Sequence, residues 1–174
     1  MTRKLTRCAL FAALMALCAW IGLPLGHTVF TMQTFGVWFA FLFLGAGKGT
    51  MAVLVYLLLG LMGLPVYAGG TAGPGVLFGA NGGYMMGWLL SGLIMWLFER
   101  YVAGRFAKII SMIASLLACY TTGTAWFMMI YAQTSEMPGL WTALLWCVIP
   151  FVIPDGLKLA LAWWADKRLR QIEE

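Results

Sequence analysis

Two charged residues three positions apart stand inside an apolar stretch near the C-terminus, Asp155 and Lys158. On a helix this spacing puts both side chains on one face. A charge inside a membrane-spanning helix costs about 2.5–3.5 kcal/mol and usually faces a polar cavity or a partner. Two readings stay open: a self-neutralising structural pair, or contacts for a small ligand. In the second, the lysine binds a carboxylate and the aspartate accepts N–H groups.

Other polar and aromatic residues are predicted near the same, outer side of a membrane bundle. With Asp155 and Lys158 they are expected to converge on one outward-facing pocket, and they are Gln33, Asn81, Tyr84, Trp126 and Tyr131. A glycine-rich loop, 65–75, is expected to close this pocket, because irregular backbone at membrane depth is tolerated where it lines a cavity.

Motifs for other chemistry are incomplete. The run from Gly45 to Thr50 resembles a phosphate-binding loop, but that pattern needs glycine at position 42 and Ser or Thr after Lys48, and the chain has Leu42 and Gly49. We read it as a cytoplasmic turn and expect no ATPase activity. The four cysteines form no CxxC pair and, with His27, suggest no metal site. Ser91 lacks a Gly-x-Ser-x-Gly elbow, so a membrane protease is a minor alternative.

The composition predicts the elements that hold these residues. Of 174 residues, 63% are hydrophobic and 10% charged, against about 25% charged in soluble domains. The apolar runs are continuous, which favours helices over a barrel. We predict a single all-α integral membrane domain, 1–174, with helices at 5–23, 29–44, 50–64, 76–98 and 109–132 and a last one starting at Pro150 or Pro154. The N-terminal segment also resembles a signal peptide, but we read it as a retained first helix.

The basic residues indicate the topology. With six spans and both termini in the cytoplasm, every Lys and Arg except Lys158 falls at a cytoplasmic end, as the positive-inside rule requires. The net charge of +5 therefore reports orientation in the bilayer rather than nucleic-acid binding.

Small residues four positions apart form stripes on two predicted helices. On the first helix these are Ala9, Ala12, Ala13 and Ala16, and on the fourth Gly79, Gly83, Gly87 and Ser91. Such stripes let helices approach closely. We expect internal packing for the fourth helix, and either packing or docking onto another membrane subunit for the first.

Four segments resemble the BioY family, the biotin-specific substrate-binding (S) components of energy-coupling factor transporters. They are TMQTF at 31–35, GLMGLPVYAGG at 60–70, GANGGY at 79–84 and PFVIPDGLK at 150–158. The glycine-rich run and the Pro-Asp-x-x-Lys segment are specific in combination, and the resemblance covers positions 5 to 170. It departs at Ala80-Asn81, where many members have Pro-Thr or Pro-Ser.

The resemblance implies a six-transmembrane-helix S-component fold in a bacterial or archaeal cytoplasmic membrane. It implies biotin as the transported ligand, no enzymatic activity, no cofactor, and two kinds of partner: a membrane coupling subunit, facing Ala9 to Ala16, and cytoplasmic ATPases. The binding residues carried over are Asn81, Tyr84, Asp155 and Lys158, with Gln33, Gly70 and Gly73 as weaker candidates. An S component for another vitamin, or a purely structural membrane subunit, is the alternative.

The expected contacts follow from the ligand's functional groups. The ureido N–H groups of biotin would donate to Asp155, its ureido carbonyl would accept from Asn81, and its carboxylate would meet Lys158, although which end each charge takes is left open. The 65–75 loop would then close, and ATP hydrolysis in the partners would drive release inside.

Overall fold

A computed structural model describes residues 2–25, 28–102, 104, 106–134 and 139–173. In chain order its elements are α1 (Thr2–Trp20), the strands β1 (Gly22–Leu25) and β2 (Thr28–Thr31), α2 (Gln33–Leu44), α3 (Ala46–Leu61), a 3-10 turn (Ala68–Gly70), α4 (Pro74–Leu77), α5 (Gly82–Tyr101), α6 (Ala107–Thr134), α7 (Leu140–Cys147) and α8 (Ile149–Glu173). The all-α prediction is confirmed.

A short antiparallel ribbon corrects the first two predicted helices. β1 pairs with β2 in the register Gly22↔Thr31 to Leu25↔Thr28, so α1 ends three residues early and α2 begins four residues late. β-branched residues at 28, 29 and 31 favour extended backbone. His27 lies outside the described residues.

Three further boundaries differ from the prediction. Gly45, with φ 82°, separates α2 from α3, and the backbone N–H of Ala46 then donates to both carboxylate oxygens of Glu99 at 3.1 Å. The run 46–50 is therefore the first turn of α3 rather than a loop. The predicted helix 76–98 is broken into α4 and α5. The last helix begins at Ile149, which leaves Pro150 in its first turn and Pro154 inside it.

Glycines let α5 and α6 pack closely side by side. A Cβ added to Gly83 would overlap Trp126, and one added to Gly123 would overlap the Tyr84 ring. A Cβ on Gly87 would lie 3.1 Å from the Cα of Cys119. Residues later in α5 contact residues earlier in α6, so the two helices run antiparallel. The prediction of internal packing is confirmed for Gly83, Gly87 and Ser91, whereas Gly79 lies in the break between α4 and α5.

A buried carboxylate holds one end of the bundle together. Asp166 is 1% exposed and accepts from Lys108 Nζ at 2.9 Å and from Arg170 Nε at 2.8 Å. A guanidinium nitrogen of Arg170 also donates to the carbonyl oxygen of Leu42 at 2.8 Å. These bonds tie α8 to α6 and to the C-terminal end of α2, where the helix carbonyls lack partners within the helix.

The outside of the bundle is largely apolar, with exposed Leu10, Leu117, Ile153 and Leu157 among many others. Among the described residues, one helix is long and apolar enough by itself to cross a membrane, Ala107–Gln133. The pair Leu140–Cys147 and Ile149–Gln171, bent by 41°, could form a second span. Three more apolar helices are shorter: Leu5–Trp20, Gln33–Leu44 and Ala46–Leu61.

Replacing Gly83 by alanine should destabilise the bundle, because the new methyl group forces α5 away from Trp126 on α6. We expect a loss of about 1–3 kcal/mol, as for overpacked cores, measured as a lower thermal unfolding temperature in detergent.

Gly156→Ala is the matched control. It lies inside α8, and a Cβ there would meet no atom within 4 Å, so this helical substitution should be neutral or stabilising. Equal unfolding temperatures for the two variants would contradict the close packing.

Candidate functional site

A cavity of about 350 Å³ lies toward the end of the bundle opposite Asp166. It is lined by the ribbon, the N-terminal part of α2, the 65–75 loop, α5, α6 and the junction of α7 with α8. Five of the predicted site residues line it: Gln33, Asn81, Tyr84, Asp155 and Lys158.

An ion pair with a third partner forms the most polar part of the wall. Lys158 Nζ donates to Asp155 Oδ1 at 2.8 Å, and Tyr120 Oη donates to Asp155 Oδ2 at 2.8 Å. Asp155 and Lys158 are 5% and 4% exposed. The predicted one-face arrangement is thus confirmed, and both carboxylate oxygens have a protein donor.

The ammonium group has a second, aromatic neighbour. Lys158 Nζ lies 3.9 Å from the ring centroid of Phe30, which stacks on Phe151 with centroids 6.3 Å apart. A cation over an aromatic face is stabilised by the ring quadrupole. With three N–H donors on lysine, at least one remains for an acceptor in the cavity.

Gln33 connects the cavity wall to the loop. Its Oε1 accepts from Thr31 Oγ1 at 2.8 Å, and its Nε2 donates to Tyr56 Oη at 2.6 Å. Tyr56 in turn donates to the carbonyl oxygen of Val66 at 2.8 Å. This series of hydrogen bonds runs from β2 through α2 and α3 to the start of the 65–75 loop.

The loop is held on α3 by Tyr67, which is buried and donates to the carbonyl oxygen of Leu57 at 2.6 Å. Its ring fills the space where a Cβ on Gly60 would lie. Ala68 and Thr71 of the loop line the cavity. The predicted residues Gly70 and Gly73 do not line the cavity. Their φ values of 74° and 93° lie in a backbone region that favours glycine, so both residues form the turn of the loop.

Asn81 and Tyr84 lie at the start of α5. The Asn81 side chain makes no hydrogen bond to any other described residue, whereas Tyr84 Oη is 3.1 Å from Thr124 Oγ1 on α6. Trp126, also predicted for the pocket, does not line it. Its indole N–H donates to the carbonyl oxygen of Gly79 at 3.0 Å, which fixes the segment before Asn81.

Several lining residues were missed by sequence reasoning, among them Trp38, Thr71, Trp88, Cys119, Tyr120 and Phe151. For Trp88 a signal existed: it follows Asn81 and Tyr84 at helical spacing on one face of α5. The sequence around Tyr120 contains no such signal, because nothing in it distinguishes this tyrosine from a residue that packs in the core. Tyr131 was predicted here, but its ring stacks on Phe127 with centroids 5.1 Å apart.

The four alanines of the small-residue stripe on α1 differ in burial. Ala9 and Ala13 are exposed, Ala16 is partly buried, and Ala12 is 2% exposed. The prediction that all four alanines face a partner is therefore wrong for Ala12, whose side chain packs in the core. Among the described residues, no group of three or more His, Cys, Asp or Glu side chains could hold a metal ion.

Replacing Lys158 by methionine should lower the stability of the protein, because Asp155 would keep a buried charge with Tyr120 as its remaining donor. Removing one member of a buried pair costs about 3–5 kcal/mol. Adding Asp155→Asn to the variant should recover much of this loss, as thermal unfolding in detergent would reveal. A double variant less stable than Lys158→Met would contradict the mutual neutralisation.

Comparison with known proteins assigns this architecture to a family. Two related proteins named as biotin transporters match almost the whole chain. The one from Thermotoga maritima is 34% identical over 171 residues, 98% of both chains. The one from Rhodobacter capsulatus is 31% identical over 181 residues, 98% of this chain and 95% of that one.

A solved structure and a family model agree with these relatives. The crystal structure of the S component for biotin from an ECF-type ABC transporter superposes with a TM-score of 0.83 and 27% identity, covering 98% of this chain and 92% of that one. The fold is thus the predicted S-component fold of a membrane protein. The model of the BioY family matches residues 1–173, and the chain belongs to the BioY family.

Proposed function

We propose that this chain is the membrane-embedded subunit that binds biotin outside the cell for uptake by an energy-coupling factor transporter. The observation that carries this proposal is the buried Asp155–Lys158–Tyr120 cluster in the wall of a cavity of about 350 Å³. A cavity of this size suits a small ligand. The relatives named as biotin transporters support biotin as that ligand.

The geometry favours one end of biotin for both charges. Because Lys158 Nζ and Asp155 Oδ1 are 2.8 Å apart, they present a donor and an acceptor side by side. The ureido group of biotin offers the complement, a carbonyl acceptor between two N–H donors. We therefore assign the ureido oxygen to Lys158 and a ureido N–H to Asp155. The sequence expectation placed the carboxylate at Lys158 but left open which end of biotin each charge takes.

The rest of the ligand then extends toward the 65–75 loop. Asn81 lies seven residues before Trp88 on α5, which is about 10 Å along the helix axis. Its free amide is available for a polar atom of the ligand. Apolar and aromatic walls, such as Met85, Trp88 and Phe151, suit the fused rings and the valeryl chain. The carboxylate lies away from the ion pair, near the mouth.

The arrangement of charge supports a multi-pass topology with six spans and both termini in the cytoplasm. Lys48, Lys108 and Arg170 cluster around the helix ends at one end of the bundle, and the cavity lies toward the other. By the positive-inside rule the basic end is cytoplasmic, so the cavity opens outward. Arg105, which belongs to the basic residues of that topology argument, lies outside the described residues.

A membrane coupling subunit and cytoplasmic ATPases complete the proposed transporter. The exposed apolar face of α1, with Ala9, Leu10, Ala13 and Leu17, offers the coupling subunit a surface of small and branched residues. The chain itself acts as a binding protein rather than an enzyme, and biotin is its transported ligand, with no further cofactor.

Asp155→Asn and Lys158→Ala should each weaken biotin binding by about 10- to 100-fold, because each removes a charge-assisted hydrogen bond to the ligand. Equilibrium titration of the purified protein in detergent gives the dissociation constants. Lys167→Ala is the matched control. Lys167 is also on α8, but its ammonium lies 4.1 Å from the Trp163 ring centroid and it does not line the cavity. The biotin affinity of this variant should equal that of the unaltered protein.

Unchanged affinity in both cavity variants would contradict the binding site. Tight binding of thiamine or riboflavin without binding of biotin would instead identify an S component for another vitamin.

The assignment of the ureido end can be tested with biotin methyl ester, which lacks the carboxylate charge. If Lys158 binds the ureido oxygen, Lys158→Ala should weaken biotin and its methyl ester by the same factor, measured by competition titration. A loss of affinity restricted to biotin would return Lys158 to the carboxylate.

A further inference from the structure

Trp88 is buried, and its indole N–H makes no hydrogen bond to any residue that the structure describes. Three other tryptophans donate their indole N–H to an acceptor in the protein: Trp20 to Pro65 O at 3.1 Å, Trp38 to Ser115 Oγ at 3.1 Å and Trp126 to Gly79 O at 3.0 Å. Trp88 is 6% exposed and lines the cavity, and it makes no hydrogen bond to any other described residue. Buried indole N–H groups usually have an acceptor.

Trp88 lines the same cavity as the ion pair, and the packing of α5 on α6 gives its depth. Gly87, the residue before it, packs against Cys119, with a hypothetical Cβ 3.1 Å from the Cα of Cys119. Because the two helices are antiparallel, Trp88 on α5 lies near the level of Ala118 on α6, about 3 Å along the helix axis from Tyr120. Tyr120 donates to Asp155, and Trp88, Tyr120, Asp155 and Lys158 all line the cavity.

We infer that Trp88 is a ligand-binding residue whose indole N–H donates to the ureido oxygen of the ligand together with Lys158. This inference rests on the proposed function. A carbonyl oxygen has two lone pairs and accepts from two donors. Lys158 has a proton left for one of them, and Trp88 supplies the second. The ligand thereby satisfies a donor that has no acceptor among the described residues.

Trp88→Phe removes the N–H and keeps an aromatic ring. It should weaken biotin binding about tenfold, the equivalent of one hydrogen bond, measured by equilibrium titration. The unfolding temperature of the ligand-free protein should not fall, because no protein hydrogen bond is lost. Trp126→Phe is the matched control with the opposite pattern: a lower unfolding temperature, since its bond to Gly79 is lost, and affinity within about threefold of the unaltered protein.

Unchanged affinity in Trp88→Phe overturns the inference. So does a fall in stability equal to that of Trp126→Phe, which would mean that the N–H already interacts within the protein, for instance with the Tyr56 ring at a centroid distance of 6.4 Å. If the unaltered protein does not bind biotin, the proposed function fails first, and the two failures are distinct.

A second measurement needs no variant. In protein labelled with ¹⁵N at the indole nitrogens, one of the nine tryptophan resonances should move downfield and become protected from hydrogen exchange when biotin is added. No such change at saturating biotin overturns the inference.

Discussion

The buried ion pair between Asp155 and Lys158 is the constraint on which the rest of the site depends. Neither charge is stable alone inside an apolar bundle, so each needs the other and further polar partners. Tyr120 on α6 supplies the second donor to Asp155, and Phe30 on the ribbon covers the ammonium group. The pair thereby fixes how α8, α6 and the ribbon meet, and the cavity is the space between them.

The two ends of the bundle are built differently, and the difference fits the proposed transport cycle. At the basic end, Asp166 and Arg170 join α8 to α6 and α2 through charged hydrogen bonds. At the cavity end, the ribbon and the 65–75 loop replace regular helix. Gln33, in the wall, is linked through Tyr56 to the loop carbonyl of Val66. A ligand that contacts Gln33 therefore acts on the hydrogen bonds that hold the loop.

Much of this arrangement follows from local sequence. The apolar runs predicted the helical bundle, and the spacing of Asp155 and Lys158 predicted a shared face. The resemblance of short segments predicted the family. The ribbon was missed because Leu23, Pro24 and Val29 are as apolar as the helices beside them. Hydrophobicity alone could not separate a helix end from an extended segment there.

Residues whose role depends on distant contacts were harder to predict. Tyr120 becomes part of the site only because α6 carries it to Asp155, 35 positions away. Trp126 lies outside the cavity wall, where its indole N–H donates to Gly79 O. Ala12 turns inward because the core lies on that side of α1. A single sequence gives the faces of a helix but not which face meets which neighbour.

The cavity walled by the ion pair should bind biotin without any other subunit. Isothermal titration of the purified, ligand-free protein in detergent with biotin tests it most directly. We expect saturable binding of one biotin per chain. If the protein in the calorimeter is folded and monodisperse, the absence of both a heat of binding and retained biotin would contradict this binding site.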